Sequence, residues 1–150
     1  MFVGEIKVII QKESITNYTY AQKFYSSVGY FTEIQAKDIV FSAYKKNKII
    51  GLVRLSPENN LLVLRGMMIS QRHQRKGVGS LLLKELEKTL SYQDCFCLPH
   101  SWLESFYGQI GFQKINESTA PQFLQERLIE NKIKYPHLII MKRSGCIRDQ

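Results

Sequence analysis

The sequence lacks three features that would each assign it to a special class of protein. Its 150 residues contain no run of about 18 apolar residues, the length that crosses a bilayer. They show neither a basic-then-apolar leader nor a repeat, low-complexity segment or linker that would divide the chain. We therefore expect one domain over residues 1–150, in the cytoplasm and without a membrane partner.

Cysteine is scarce as well. The three cysteines, Cys95, Cys97 and Cys146, are odd in number. Cys95 and Cys97 would place both thiols on the same face of a strand, without the two further ligands that a zinc site requires. We therefore expect reduced thiols with a structural role and no bound metal.

Residues 74–79, Gln-Arg-Lys-Gly-Val-Gly, lie between two strongly patterned runs. Residues 61–69 are too apolar on both faces to form an edge strand, and residues 78–90 place leucines at helical spacing with charges opposite. The glycines allow unusual dihedral angles, and the amides that open a helix have no partners within it. Together with the helix dipole, these amides would bind an anion such as a phosphate.

Two better-known phosphate loops do not fit these residues. A Walker loop has Lys and then Ser or Thr directly after its last glycine, whereas Gly79 is followed by Ser80 and Leu81. A dinucleotide fingerprint has a third small residue where Leu82 stands. What remains is the pattern Gln/Arg-x-x-Gly-x-Gly.

Acidic residues are outnumbered, with 13 Asp and Glu against 21 Lys and Arg, a formal charge of +8. Such a charge suits nucleic acid, an anionic membrane or a ligand that carries several phosphates. The basic residues are scattered, and no helix or sheet face interleaves basic and aromatic residues. Only the cluster at residues 72–76 coincides with an expected anion site, which favours a phosphate-bearing ligand over nucleic acid.

The remaining segments give a regular order of elements. We predict strands at residues 5–11, 38–45, 48–55, 95–99, 112–115 and 138–142. We predict one or two helices with a kink over residues 15–34, where Gly29 is a breaker. Lys46 and Asn47 predict a hairpin turn, residues 56–60 a loop, and Ser101 with Glu104 a capping box for a helix from Trp102 to Gly111. A further helix is predicted to start near Pro121, with Phe123, Leu124 and Leu128 on its buried face.

This order resembles that of the GNAT superfamily, the acyl-CoA-dependent N-acyltransferases, over about residues 5–143. Three local motifs agree: Met-Met-Ile at residues 67–69, the glycine loop at 74–79, and Phe-Tyr-Gly-Gln-Ile-Gly-Phe at 106–112. The resemblance implies an α/β fold with a mixed, mostly antiparallel sheet, flanking helices and splayed central strands. It implies an N-acetyltransferase that moves acetyl from acetyl-CoA to a primary amine.

The resemblance also implies a coenzyme site. Backbone amides from Arg75 to Ser80 would bind the pyrophosphate, pantetheine would pair with the strand edge, and the amide of Ile69 would face the thioester oxygen. The expected coenzyme-binding residues are Met68, Ile69, Gln74, Arg75, Lys76, Gly77, Val78, Gly79 and Ser80.

Tyr107 is the expected general acid, which would protonate the departing thiolate; the alternative is a tyrosine that only packs beside Leu103. His100 stands where the family usually has asparagine, and it would either relay a proton from the amine or be a half-exposed residue after Pro99. His73 is expected to be solvated or near a coenzyme phosphate.

A general base is not evident, because residues 61–71 contain no Asp or Glu. Water, His100 or Glu33 could remove the proton from the amine. Transfer is expected to be direct, since Cys95 and Cys97 have no paired histidine that would make either a nucleophile.

The resemblance places the acceptor near residues 18–31 and 118–135, whose composition fits a small amine, a peptide N-terminus or a lysine about equally well. Two alternatives to the enzyme are a noncatalytic acyl-CoA sensor and, less favoured, a basic nucleic-acid-binding module. The sequence leaves homodimer formation open.

Overall fold

The computed structural model describes residues 7–145. Glu5 and Ile6 of the first predicted strand, and Cys146, lie outside the described residues. The strands are β1 (Ile9–Lys12), β2 (Ile39–Lys45), β3 (Lys48–Glu58), β4 (Leu61–Ile69), β5 (Cys95–Cys97), β6 (Gln113–Lys114) and β7 (Met141–Arg143). The α-helices are α1 (Tyr18–Ser27), α2 (Val78–Leu90), α3 (Glu104–Gly108) and α4 (Gln122–Lys132). Short 3-10 helices lie at Ile15–Asn17, Gln71–His73, Ser101–Leu103 and Glu117–Thr119.

The strands form a sheet in the order β1-β2-β3-β4-β5-β7-β6. Of the pairings with a defined register, β4 with β5 is parallel and the others are antiparallel. The prediction of a mixed, mostly antiparallel sheet with helices is therefore confirmed. The chain divides into two compact units, Met1–Pro57 with Leu64–Thr89 and Glu58–Val63 with Leu90–Gln150.

Two hairpin turns connect β2 to β3 and β3 to β4. Lys46 and Asn47 have φ of 52° and 64°, as in a type I′ turn, and they confirm the predicted hairpin. The predicted loop at residues 56–60 is wrong, because β3 continues to Glu58 and only Asn59 and Asn60, with φ of 50° and 65°, form the turn. Pro57 fits in β3 because it lies past the last β2 partner, Leu55, so its missing N–H costs no bond on that side.

Helix α1 ends at the predicted breaker. Gly29 has φ of 80°, its N–H donates to Ser26 O at 3.1 Å, and the N–H of Tyr30 donates to Tyr25 O at 2.9 Å, which is a Schellman cap. A second helix after Gly29 is not formed. Instead, the side chain of Gln22 donates to Thr32 O at 3.0 Å and accepts from Ile34 N at 2.8 Å, which gives two backbone groups of this irregular segment a hydrogen-bond partner.

The core of the first unit lies between α1 and the strands. Its buried members are Ala21, Phe24, Tyr25, Val40 and Leu52. Met68 of β4 packs against this cluster, together with Tyr18 and Ile34. Helix α2 also presents the predicted buried leucines: Leu82, Leu83, Leu86 and Leu90 are all 0% exposed.

In the second unit, residues 62 and 63 of β4 pair with β5, and β7 lies between β5 and β6. Helix α4 follows Pro121 as predicted and buries Leu124 and Leu128 in a cluster with Phe96 and Ile140. The predicted capping box is wrong: Ser101 lies inside a 3-10 turn, and the N-cap residues of that turn and of α3 are His100 and Leu103, neither with a side-chain bond.

Candidate functional site

The glycine loop connects β4 to α2 through a left-handed turn. After the 3-10 turn Gln71–His73, Gln74 is extended, and Arg75 and Gly77 take positive φ of 62° and 84°. A Cβ added at Gly77 would meet nothing within 4 Å, so the turn leaves open space on that side. Glycine suits this position because its φ is one that other residues adopt only with strain.

The loop brings three amides together at the start of α2. The first helical hydrogen bond runs from Leu81 N to Gly77 O, at 3.1 Å. The amides of Val78, Gly79 and Ser80 therefore lie in the first turn, where the helix offers them no carbonyl partner. They point out of the positive end of a helix of 13 residues, which is an arrangement suited to an anion.

Hydrogen bonds connect the loop and the residues before it to β3 and β4. Gln74 Nε2 donates to Ile69 O at 3.0 Å, and Ser70 N donates to Ile50 O at 2.8 Å. Ser70 Oγ and His73 Nδ1 share a hydrogen bond of 2.7 Å. The glutamine of the motif therefore holds the end of β4 and is exposed itself, a role that the sequence did not suggest.

Gly51 of β3 allows the end of β4 to pack against the start of α2. A Cβ at Gly51 would lie 2.7 Å from Ile69 Cδ1, 3.2 Å from Val78 Cγ1 and 3.3 Å from Leu82 Cδ1. Because real Cβ atoms do not approach so closely, a side chain at this position would push these groups apart. Gly51 was not among the expected site residues.

Cations dominate the surroundings of the loop. Arg72, Arg75 and Lys76 are exposed. Partial burial lowers the pKa of His73 below its ordinary value, and three nearby cations lower it further: Lys45, Lys76 and Arg72. The lowered pKa therefore reports a positive potential around the imidazole, and an anion bound at the loop would raise that pKa again.

The parallel ladder between β4 and β5 lies at the start of β4. Within the described residues, its register pairs Leu62 with Cys95 and Val63 with Phe96. The side chains of Met68 and Ile69 are partly buried against α1 and Gly51, which holds this stretch of backbone in place. The expected splaying of the central strands beyond this ladder stays a prediction.

All nine expected coenzyme residues belong to the first unit, and Tyr107 and His100 belong to the second. Tyr107 on α3 is 5% exposed and makes edge contacts with Phe106 and Phe112, at centroid distances of 4.9 and 6.1 Å. Both rings belong to the motif at residues 106–112.

His100 lies in an aromatic cluster of the second unit. Its ring stacks on Trp102 at 4.5 Å with an interplanar angle of 6°, and it meets Tyr135 edge-on at 5.6 Å. The ring is half-buried, and Nδ1 is buried without a hydrogen-bond partner among the described groups. That nitrogen has capacity to accept or donate a proton.

A surface pocket of about 450 Å³ opens beside α1 in the first unit. It is lined by Tyr18, Thr19, Gln22, Phe31, Glu33 and Ile34. Glu33 is the only carboxylate among these lining residues, and Phe31 is 77% exposed. A carboxylate beside an exposed aromatic ring suits a cationic group.

Residues 7–145 contain neither a metal-binding cluster nor a membrane-spanning helix. No three His, Cys, Asp or Glu side chains between residues 7 and 145 are placed to hold a metal ion. None of the helices in that range is long and apolar enough to cross a membrane.

The fold and the glycine loop together define an α/β domain with a glycine-containing turn between its fourth strand and the helix that follows. A family model described as "Acetyltransferase (GNAT) domain" matches residues 31–125, which is more than half of the chain. The chain belongs to this family of GNAT acetyltransferases. No curated protein matches it.

Solved structures of low sequence identity share the fold. ElaA of Escherichia coli is 13% identical with a TM-score of 0.65, over 93% of this chain and 100% of that chain. The ribosomal-protein-S18-alanine N-acetyltransferase of Escherichia coli is 14% identical with a TM-score of 0.62, over 96% and 97%. N-acetylglutamate synthase of Neisseria gonorrhoeae, in complex with coenzyme A and N-acetyl-glutamate, is 14% identical with a TM-score of 0.67; the match covers 96% of this chain but 36% of that chain. At such identities the likeness shows the fold alone.

Proposed function

We propose that the protein is an N-acetyltransferase that moves the acetyl group of acetyl-CoA directly to a primary amine. The observation that carries this proposal is the loop at residues 74–80, where the left-handed turn at Gly77 leads into three helix-start amides. Family membership supports acetyl transfer, and the helix-start amides of the loop would bind the diphosphate of the coenzyme.

The coenzyme would bind in two parts. The amides of Val78, Gly79 and Ser80 would donate to the pyrophosphate, with Arg75 and Lys76 adding positive charge. Pantetheine, which carries two amides, would add to the edge of β4 at Met68 and Ile69 in the manner of an extra strand. The N–H of Ile69 would then face the thioester oxygen and stabilise the negative charge that develops there.

The chemistry needs one proton donor and one proton acceptor. The amine nitrogen bonds to the thioester carbon, the C–S bond breaks, and the thiolate of coenzyme A takes a proton. We assign that proton to Tyr107, whose phenol has a reference pKa of about 10 against about 8.5 for a thiol, so the donation is mildly uphill. His100 is our proposed relay for the proton lost by the amine, on account of its unpartnered Nδ1.

The pocket beside α1 is our candidate for the acceptor. Tyr18 and Ile34, which line it, pack against the same core cluster as Met68, so the pocket and the proposed thioester end of β4 rest on shared packing. Glu33 would hold the ammonium form of the amine before it loses its proton. Cytoplasmic location and homodimer formation remain predictions from sequence.

The test is a turnover assay with acetyl-CoA and a panel of small amines, peptides and aminoglycosides. Tyr107→Phe is expected to lower kcat by about 10²-fold or more, the usual contribution of a general acid, with coenzyme affinity unchanged. Tyr20→Phe, which removes the hydroxyl of a tyrosine that is 46% exposed, is the matched control. Unchanged turnover in Tyr107→Phe would remove the acid role.

An acyl-CoA sensor is the second candidate, and the lack of any carboxylate in β4 favours it. A sensor would bind acetyl-CoA tightly and acetylate nothing in the panel. A nucleic-acid-binding module would instead bind polynucleotide with a steep loss at higher salt and without competition from coenzyme A.

A further inference from the structure

Gly66 gives β4 a left-handed residue in the middle of the strand. Its φ is +66°, the conformation that glycine takes in a G1 bulge, where it bends a strand and interrupts the ladder. A Cβ at Gly66 would lie 2.7 Å from Arg54 Nη1 and closer still to the hydroxyl of Tyr25. The strand therefore depends on glycine here, and its backbone rests directly on two buried side chains.

Tyr25 holds the carbonyl of this residue. Its hydroxyl donates to Gly66 O at 2.8 Å, and the side chain on α1 is 0% exposed. Burial raises the pKa of Tyr25 well above its ordinary value, so the phenol stays protonated and remains a donor. The ring of Tyr30 meets it edge-on at 4.7 Å and limits its movement.

Arg54 and Asp38 hold Tyr25 in turn. Arg54 Nη1 donates to the Tyr25 hydroxyl at 3.3 Å, and Arg54 Nε lies 3.2 Å from Asp38 Oδ2, with both side chains at most 1% exposed. Asp38 Oδ2 also accepts from Gln35 N at 2.9 Å. A buried ion pair gains little stability over apolar residues of the same size, so its presence suggests a geometric role.

We propose that Asp38, Arg54 and Tyr25 are positioning residues, which fix the turn at Gly66 and through it the β4 donors that bind pantetheine and the thioester. This inference rests on the proposed function. Residues 67–69 follow Gly66 directly, so the direction of their N–H groups depends on the dihedral angles at Gly66. The glycine loop at residues 74–80 has contacts of its own, namely the bond from Gln74 to Ile69 O and the packing around Gly51.

Because the two parts of the coenzyme site are held by different residues, they can be tested with two ligands. Coenzyme A contacts both parts, whereas 3′-phosphoadenosine 5′-diphosphate carries the diphosphate and nucleotide without pantetheine. Tyr25→Phe removes the hydroxyl that holds Gly66 and keeps the ring. We expect it to weaken coenzyme A roughly tenfold, the effect of one buried hydrogen bond, and to leave the nucleotide unchanged in calorimetric titrations.

The matched control is Tyr44→Phe, which removes another tyrosine hydroxyl of the same unit, one that donates to Glu13. It should lower thermal stability without changing the ratio of the two affinities. Asp38→Asn is a second variant that keeps the side-chain shape, and we expect the same selective loss, because Arg54 loses its ionic partner.

Two results would overturn the inference. If both variants weaken the two ligands equally, or neither ligand, while the unaltered protein binds both, the network does not position the pantetheine edge, and the proposed function is untouched. If the unaltered protein binds neither ligand, the proposed function fails and the inference falls with it.

Discussion

At the scale of single residues, Gly77 and Gly29 form a natural pair. Both have positive φ, of 84° and 80°, and a Cβ at either would meet nothing within 4 Å. Alanine at each should therefore cost the same strain, about 1–2 kcal/mol of stability. Only Gly77→Ala should also weaken coenzyme A, by roughly ten- to a hundredfold, because it moves amides that bind charge. Thermal melting and calorimetric titration of both variants check this; equal affinities would argue against the loop as the diphosphate site.

The cysteines provide a second residue-scale prediction. Burial raises the pKa of Cys97 well above its ordinary value, with a further contribution from Cys95, and both side chains are at most 2% exposed. Thiolate at position 97 is therefore scarce even at pH 8, so the thiol is a poor nucleophile. In a Cys146→Ser variant we expect negligible reaction with a disulfide reagent in the native state and two thiols after denaturation. Rapid labelling of either thiol in the native protein would contradict this prediction and favour covalent catalysis by a cysteine.

At the scale of elements, the contact between β4 and α2 depends on Gly51. Gly51→Ala would place a methyl group 2.7 Å from Ile69 Cδ1. We expect a loss of about 1–3 kcal/mol, as for other overpacked cores. Ile69→Val removes that Cδ1, so it should cost about 1 kcal/mol in the unaltered protein and recover stability in Gly51→Ala.

Denaturant titrations of the four proteins measure this coupling. Purely additive losses would show that the two residues do not share the contact. Coenzyme affinity measured on the same proteins should follow stability, because Val78, the first residue of α2, lies 3.2 Å from the same methyl position.

The elements that the sequence predicts best are those whose pattern needs no distant partner. β4 and α2 have the predicted bounds, because one is a continuous apolar run and the other repeats leucine at helical spacing. The loop at residues 56–60 was wrong because proline and asparagine favour turns generally, whereas here two asparagines sufficed for a I′ turn. The capping box failed because a 3-10 turn took Ser101 inside the helical segment, where its side chain cannot act as the cap.

In the candidate site, too, local features could be predicted from the sequence and long-range contacts could not. The glycine loop is a local motif, so six residues sufficed to predict its turn and the start of the helix. The buried pair that we propose as support for β4 could not be predicted in this way: Arg54 stands between apolar residues of β3 and its partner Asp38 stands 16 positions earlier, so only the folded chain brings them within 3.2 Å. Gly66 gave one usable signal, since a glycine inside a strand often marks a bulge.

At the scale of the whole molecule, β4 connects the two compact units. Residues 61–63 belong to the second unit and residues 64–69 to the first. One strand cannot unfold in part without losing ladder bonds, so we expect a single cooperative transition, in keeping with one domain over residues 1–150. In scanning calorimetry, the van't Hoff and calorimetric enthalpies should agree. Two separate peaks would contradict this.

Coenzyme binding provides a second test of cooperative unfolding. The expected coenzyme contacts all lie in the first unit, whereas the single tryptophan, Trp102, lies in the second and stacks on His100 at 4.5 Å. Unfolding breaks this stack and changes the fluorescence of Trp102. Coenzyme A at about 100 times its Kd adds about 2.7 kcal/mol to the stability of whatever unfolds with its site, roughly 5–10 °C in Tm for a chain of this size. If the molecule unfolds in one cooperative transition, coenzyme A should raise the midpoint reported by Trp102 fluorescence by the same amount as the calorimetric midpoint. A calorimetric shift without a fluorescence shift would mean that the second unit unfolds independently.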